Sequence, residues 1–232
     1  RDLVLLDARD GSLRRRIALA EPTEVHIDPA GTRLAACAQD AHLRVWALAT
    51  GELLWDVPVP CAERGWPGNL FGASWSAEGR ELVCSTFDGR IQVRDAATGA
   101  LRREVLRPGR TFAHFCADGR HVLASSYSGN AGLELLDAAS LAPLWSSPPT
   151  NHVWPVLAPD CQRVFSANWL GYLGVWDART GRLVTEIEGP PPGNPRLSVS
   201  PDGACVVLAA GKNLRFFRAD ANDGGAAPQL AR

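Results

Sequence analysis

Residues 158–181 read APDCQRVFSANWLGYLGVWDARTG. A Pro159-Asp160-Cys161 turn leads into the apolar run Val164-Phe165-Ser166-Ala167. A short break at Asn168-Trp169-Leu170-Gly171 follows, then a second apolar run ending in Val175-Trp176-Asp177, then a Thr180-Gly181 turn. Short apolar runs bounded by turn chemistry are strands, and no segment of the chain keeps a helical spacing. Each turn residue has its own physical job: Pro presets φ, Asp bonds its own backbone, and Gly accepts a positive φ.

The same pattern recurs on both sides of this stretch. The turn returns as Asp28-Pro29-Ala30-Gly31, Ala77-Glu78-Gly79, Ala117-Asp118-Gly119 and Pro201-Asp202-Gly203, and positions 31, 79, 119, 161 and 203 lie 48, 40, 42 and 42 residues apart. The strand ending returns as Leu5-Leu6-Asp7, Val45-Trp46-Ala47, Val93-Arg94-Asp95, Leu135-Leu136-Asp137 and Phe216-Phe217-Arg218. Both series carry the same excess of about eight residues between Ala47 and Gly79, which marks an insertion at 61–70. A repeat of about 40 to 45 residues, read as four short strands, is what a propeller blade leaves in sequence. The expected fold is all-β, a β-propeller of four-stranded antiparallel blades with five to six present. Residues 1–219 divide into a partial blade at 3–19, blades at 23–58, 70–107, 111–147 and 152–188, and a partial blade at 195–218. The polar, Gly/Ala-rich stretch 220–232 reads as a disordered tail.

From Leu3 to Arg218 these residues resemble the WD-repeat (tryptophan-aspartate repeat) β-propellers, in a degenerate bacterial form. Trp176-Asp177 matches the closing dipeptide of that family, while Trp46, Asp95 and Asp137 each keep one half of it. No Gly-His pair separates fourth and first strands, and only Asp40 and Asp88 clearly hold the acidic position before a third strand. The family's buried His-Ser-Asp-Trp network is therefore expected to be incomplete in every blade. The resemblance implies a ring of six or seven blades, with residues upstream of Arg1 completing it. It also implies a non-catalytic, monomeric interaction or scaffold propeller, placed as the C-terminal sensory domain of a larger bacterial signalling protein such as a Ser/Thr kinase. The alternative is a quinoprotein-like dehydrogenase or a hydrolase-associated propeller.

Composition narrows the function classes. The 232 residues carry 24 basic and 25 acidic side chains for a net charge of -1, which gives no electrostatic footprint for nucleic acid. No apolar run reaches the roughly 20 residues of a membrane helix. Six cysteines without a C-x-x-C pair read as buried free thiols and favour a reducing, cytoplasmic setting. His26 and His114 share a repeat position, yet neither has a carboxylate or Cys at ligand spacing, so no metal is expected. The recurring aspartates fall in turns, and no nucleophile elbow or phosphate loop occurs. No enzyme activity and no cofactor are expected.

Aromatic residues are more informative. Trp46, Trp75, Trp176, Phe115, Phe216 and Phe217 replace aliphatic residues at strand positions and read as core, while Trp55 and Trp145 share a place on the outer fourth strand. Trp66 lies in the insertion, Trp154 near a fourth-to-first connection, and Tyr127, Trp169 and Tyr172 near second-to-third turns. In a propeller those two classes of loop share one face. With Arg64 and Arg110 nearby, Trp66, Tyr127, Trp154, Trp169 and Tyr172 form a candidate binding patch for a protein, a peptide or a neighbouring domain, since aromatics and Arg dominate interface hot spots. The competing reading is that they pack the loops or plug the channel. Cys61 is the one thiol expected to be exposed.

Overall fold

The computed structural model describes residues 2–19, 22–61, 70–107, 109, 112–126 and 132–218. Among them the chain forms 21 strands and no helix. The first sheet pairs β1 (Asp2–Leu6) with β2 (Leu13–Ala18). The second contains β3 (Pro22–Ile27), β4 (Arg33–Ala38), β5 (His42–Ala47) and β6 (Leu53–Pro58), and the third β7 (Leu70–Trp75), β8 (Glu81–Thr86), β9 (Arg90–Asp95) and β10 (Leu101–Leu106). The fourth has β11 (Phe112–Phe115), β12 (His121–Ser125), β13 (Glu134–Asp137) and β14 (Pro143–Ser146), and the fifth β15 (His152–Leu157), β16 (Arg163–Asn168), β17 (Tyr172–Asp177) and β18 (Leu183–Glu188). The last sheet is three-stranded, β19 (Pro195–Val199), β20 (Cys205–Ala210) and β21 (Asn213–Arg218). Strands follow sequence order within each sheet, the fold of a β-propeller whose sheets are its blades.

By internal contacts the chain divides into two units, Arg1–Phe115 with Ala138–Leu141, and Cys116–Asp137 with Ala142–Arg232. In the first unit, Leu43 and Val45 of β5 and Ala35 and Cys37 of β4 pack with Ala73, Trp75, Leu82 and Cys84 of the next blade. Leu43, Val45 and Leu82 are fully buried, each worth about 1.5–3 kcal/mol relative to exposure. Trp55 does more than shield an outer strand: its indole N–H donates to Ala96 O at 3.1 Å, in the turn of the following blade. The second unit repeats the joint. Leu123, Leu133 and Leu135 meet Leu157, Val164 and Trp176, while Phe165, Ala167 and Leu173 meet Val206, Leu208 and Phe217. Trp145 donates to Ala178 O at 2.7 Å. Its ring lies so close to Gly181 that a Cβ there would come within 2.4 Å, and Gly181 has φ +68°. Glycine is required at that turn for both conformation and space.

Two sequence expectations need correction. Phe216 is not core: it is 58% exposed, and Leu214 two residues earlier is 59% exposed. Their counterparts Leu43 with Val45, and Leu133 with Leu135, are buried against the sheet that follows, and among the described residues none follows β21. Cys61 is not the one accessible thiol either. Cys161 and Cys205 are half-buried like it, while Cys37, Cys84 and Cys116 are buried. All six are free, and burial pushes the Cys84 thiol up to about 12, which leaves it unreactive.

The repeated aspartates do structural work in turns. Asp28 accepts from the backbone N–H groups of Thr32 at 2.7 Å and Arg33 at 2.9 Å. Burial pushes its carboxyl up, but these bonds and the Arg33 guanidinium outweigh that and hold it below the ordinary range.

Candidate recognition site

The fifth blade carries the described part of the aromatic patch. Its first strand, β15, is irregular: register shifts between Val153 and Val156, so Trp154 and Pro155 form a bulge. Trp154 adopts φ +46°. A left-handed conformation is costly for a bulky residue, and a following proline disfavours helical backbone further, so surrounding contacts must hold this geometry in place. Trp154 therefore sits inside a strand rather than in the preceding connection.

Two neighbours supply the restraint. Trp169, from the β16–β17 turn, packs edge to face on Trp154 with centroids 5.4 Å apart and planes at 69°. That turn is pinned by Asn168, whose Oδ1 accepts from the N–H groups of Leu170 and Tyr172, both at 3.0 Å. From β19 the Arg196 guanidinium lies 4.2 Å over the Trp154 ring, a cation–π geometry worth about 0.5–2 kcal/mol. One Nη of Arg196 donates to Asn194 Oδ1 at 3.2 Å and to Pro195 O at 3.1 Å. Gly189 N–H donates to Gly171 O at 2.7 Å and ties the turn to the connection before β19.

Beneath the bulge lies a polar chain. Trp176 Nε1 donates to Ser166 Oγ at 2.6 Å. Ser166 Oγ lies 2.9 Å from His152 Nδ1, and His152 Nε2 lies 2.7 Å from Glu186 Oε1. A carboxylate only accepts, so Nε2 holds the proton and Nδ1 accepts from Ser166. The His152 side chain is 3% exposed. Burial lowers its affinity for a second proton, opposed by the Glu186 carboxylate, and its pKa falls below the ordinary histidine value. A Cβ on Gly174 would come within 2.6 Å of His152 Cε1 and 2.9 Å of Trp176 Nε1, so the ring occupies space only a glycine leaves. The tryptophan, serine and histidine of the WD-type network are thus present in this blade without its turn aspartate, since Leu170 stands where Asp40 and Asp88 stand in earlier blades, and the arrangement makes His152 a buried structural hub.

Of the sequence candidates, Trp154 and Trp169 come together, and Tyr172 opens β17, 38% exposed, opposite Glu188. Arg64, Trp66, Arg110 and Tyr127 lie outside the described residues. Arg196 was not anticipated, although a signal existed. It stands five residues before Pro201, as Trp154 stands five before Pro159, so the two occupy one repeat position in adjacent blades.

Other clusters offer little chemistry. Asp118 Oδ2 receives both Cys161 Sγ at 3.5 Å and His121 Nδ1 at 2.5 Å. The carboxylate separates thiol from imidazole, and burial together with Asp118 raises the Cys161 pKa, the reverse of an activated nucleophile. Among the described residues no group of three His, Cys, Asp or Glu side chains is placed to hold a metal ion.

Comparison with known proteins agrees with this architecture. The β-propeller domain of Cps50 (Swd1) from Myceliophteria thermophila superposes with a TM-score of 0.74 over 99% of this chain and 72% of that one, at 18% identity. That likeness concerns the fold alone. No curated protein matches in sequence. Residues 1–186, about four-fifths of the chain, match the family model PQQ_2, described as outer membrane protein assembly factor BamB, and the chain belongs to that family.

Proposed function

We propose that this chain is a non-catalytic interaction propeller that binds a protein or peptide at Trp154, Trp169 and Arg196. The observation that carries the reading is the strained Trp154, held half-buried between an exposed arginine and a second tryptophan. Strain of this kind gathers at functional sites, and Trp and Arg are the residues that anchor interfaces. The family description, an assembly factor, names a role in bringing proteins together rather than a reaction. The Trp176–Ser166–His152 chain supports the WD-type kinship as well, with its acid, Glu186, coming from the fourth strand instead of the turn before the third.

The test is selection of a displayed library of random 12-residue peptides on the wild-type chain and on Trp154→Ala and Trp169→Ala. Clones retained by the wild type and lost by variants of unchanged melting temperature support the reading. If nothing enriches, or enrichment ignores both substitutions, it fails. The quinoprotein alternative draws on the name of the matching family model. A quinone absorbance band with bound calcium in the purified protein would favour it.

A further inference from the structure

The geometry points to Arg196 as a preset receptor for a side-chain carboxylate, so that the partner segment carries an Asp or Glu beside an apolar residue. This rests on the binding reading above and specifies its ligand.

Several arginines of the described chain are already committed to acids. Arg14 pairs with Asp7, Arg33 with Asp28, Arg44 with Asp40 and Asp56, Arg90 with Glu104, and Arg102 and Arg103 with Glu81. Arg196 differs. Its described hydrogen bonds go to an amide oxygen and a main-chain carbonyl, both from one Nη. Nε and the other Nη keep their donors, and no described carboxylate is paired with this side chain. The cation–π contact with Trp154, 4.2 Å to the ring centroid, holds the guanidinium over the indole before any ligand arrives. An arginine normally gives up side-chain entropy on binding, and here much of that ordering is already present in the free protein.

The remaining donors form the planar edge that accepts a carboxylate in two parallel hydrogen bonds. A doubly charged phosphate is usually met by several cations, whereas the described site presents a single guanidinium on an indole, which favours the singly charged acid. The flanking surface sets what stands beside that acid. Leu170, next to Trp169 in the same turn, is 60% exposed, and Tyr172 is 38% exposed. An extended segment with an acid over Arg196 and an apolar side chain against Trp169 and Leu170 satisfies both features.

The experiment is to sequence the peptides selected on the wild type and on Arg196→Gln in parallel. A selected acidic peptide is then synthesised with an amidated C-terminus, with its acid retained or changed to the amide, and titrated by tryptophan fluorescence. The wild type is expected to enrich acid beside apolar residues and to favour the acid peptide by about tenfold or more, the scale of one charge-assisted hydrogen bond. Arg196→Gln abolishes that preference at unchanged melting temperature. Arg196→Lys, which keeps charge but loses the planar fork, reduces it. Peptides that bind the Trp154 and Trp169 face without acid enrichment, or a preference that survives Arg196→Gln, overturn the receptor while leaving the binding reading intact. Absence of any face-dependent peptide defeats both.

Discussion

The blades β3–β6 and β15–β18 share strand lengths and turn chemistry but fill one repeat position in opposite ways. In the earlier blade the third strand offers Arg44, which bonds Asp56 across the sheet at 2.8 Å and also Asp40, with His42 joining Asp56 at 2.5 Å. Those groups are partly exposed, Arg44 at 15% and Asp56 at 33%. In the later blade the third strand offers Gly174, and His152 from the first strand enters the vacated space, 3% exposed, to reach Glu186. Backbone pairing is the same in both, Arg44 with Asp56 and Gly174 with Glu186. Apolar positions and turns set the blade, and the polar slot is free to vary. Only the later blade uses it to build a rigid floor two residues from the bulge at Trp154.

The sharpest way to break the contrast is to add a side chain where the later blade has none. Gly174→Val drives a β-branched group into His152 and Trp176 and is expected to cost about 3 kcal/mol in urea denaturation. Arg44→Ala at the matching place is expected to cost about 1 kcal/mol, because its ion pairs are partly solvated. Similar losses at the two sites would mean that the histidine floor is not special. Next in size is Ser166→Ala, which leaves the Trp176 N–H and His152 Nδ1 without their buried partner. About 2 kcal/mol should be lost, with a changed near-ultraviolet signal from Trp176.

Acid response sharpens the comparison further. His152 has a lowered pKa when folded, so it stays neutral while the unfolded chain takes up a proton near the ordinary value of 6.5. Its contribution is complete above that value and is lost as pH falls through the folded pKa. The denaturation midpoint should decline from pH 7.5 to 5.5, and His152→Asn should flatten that slope. A second decline belongs to Asp95, held at about 2 by Arg102 and Thr98. Its contribution is present above 3.8 and disappears as pH approaches 2. The smallest effect is expected from Asp56→Asn, about 0.5 kcal/mol; a loss several times larger would show that the outer cluster behaves as a buried network.

The fold was legible because Pro-Asp-Gly turns and strand endings recur in register, and local turn chemistry suffices to reveal them. The site was legible only where a residue's own neighbours betray it. Trp169 stands in an evident turn, but the bulge that displays Trp154 depends on pairing with β16, which no local pattern encodes. His152 lacks a preceding glycine, since Asn151 stands there, so the family's spacing did not flag it. Arg196 becomes visible only when repeat positions are aligned across blades, because its role comes from the ring beneath it. Phe216 misled for the converse reason: its apolar character matches its counterparts, while burial depends on what lies beyond its own sheet.

Trp55 and Trp145 give the chain a polarity that a list of blades does not convey. Each indole leaves its own outer strand and closes over a turn in the blade that comes next. Guarding thus passes from earlier to later sequence, as each tile in an overlapping roof covers the edge of the one below it. Opening a later blade takes no indole from the turn behind it, whereas lifting an earlier outer strand bares the turn ahead. Amide exchange in the turn containing Ala178 should therefore follow the opening of β14, a neighbour-to-neighbour dependence with a direction written into it.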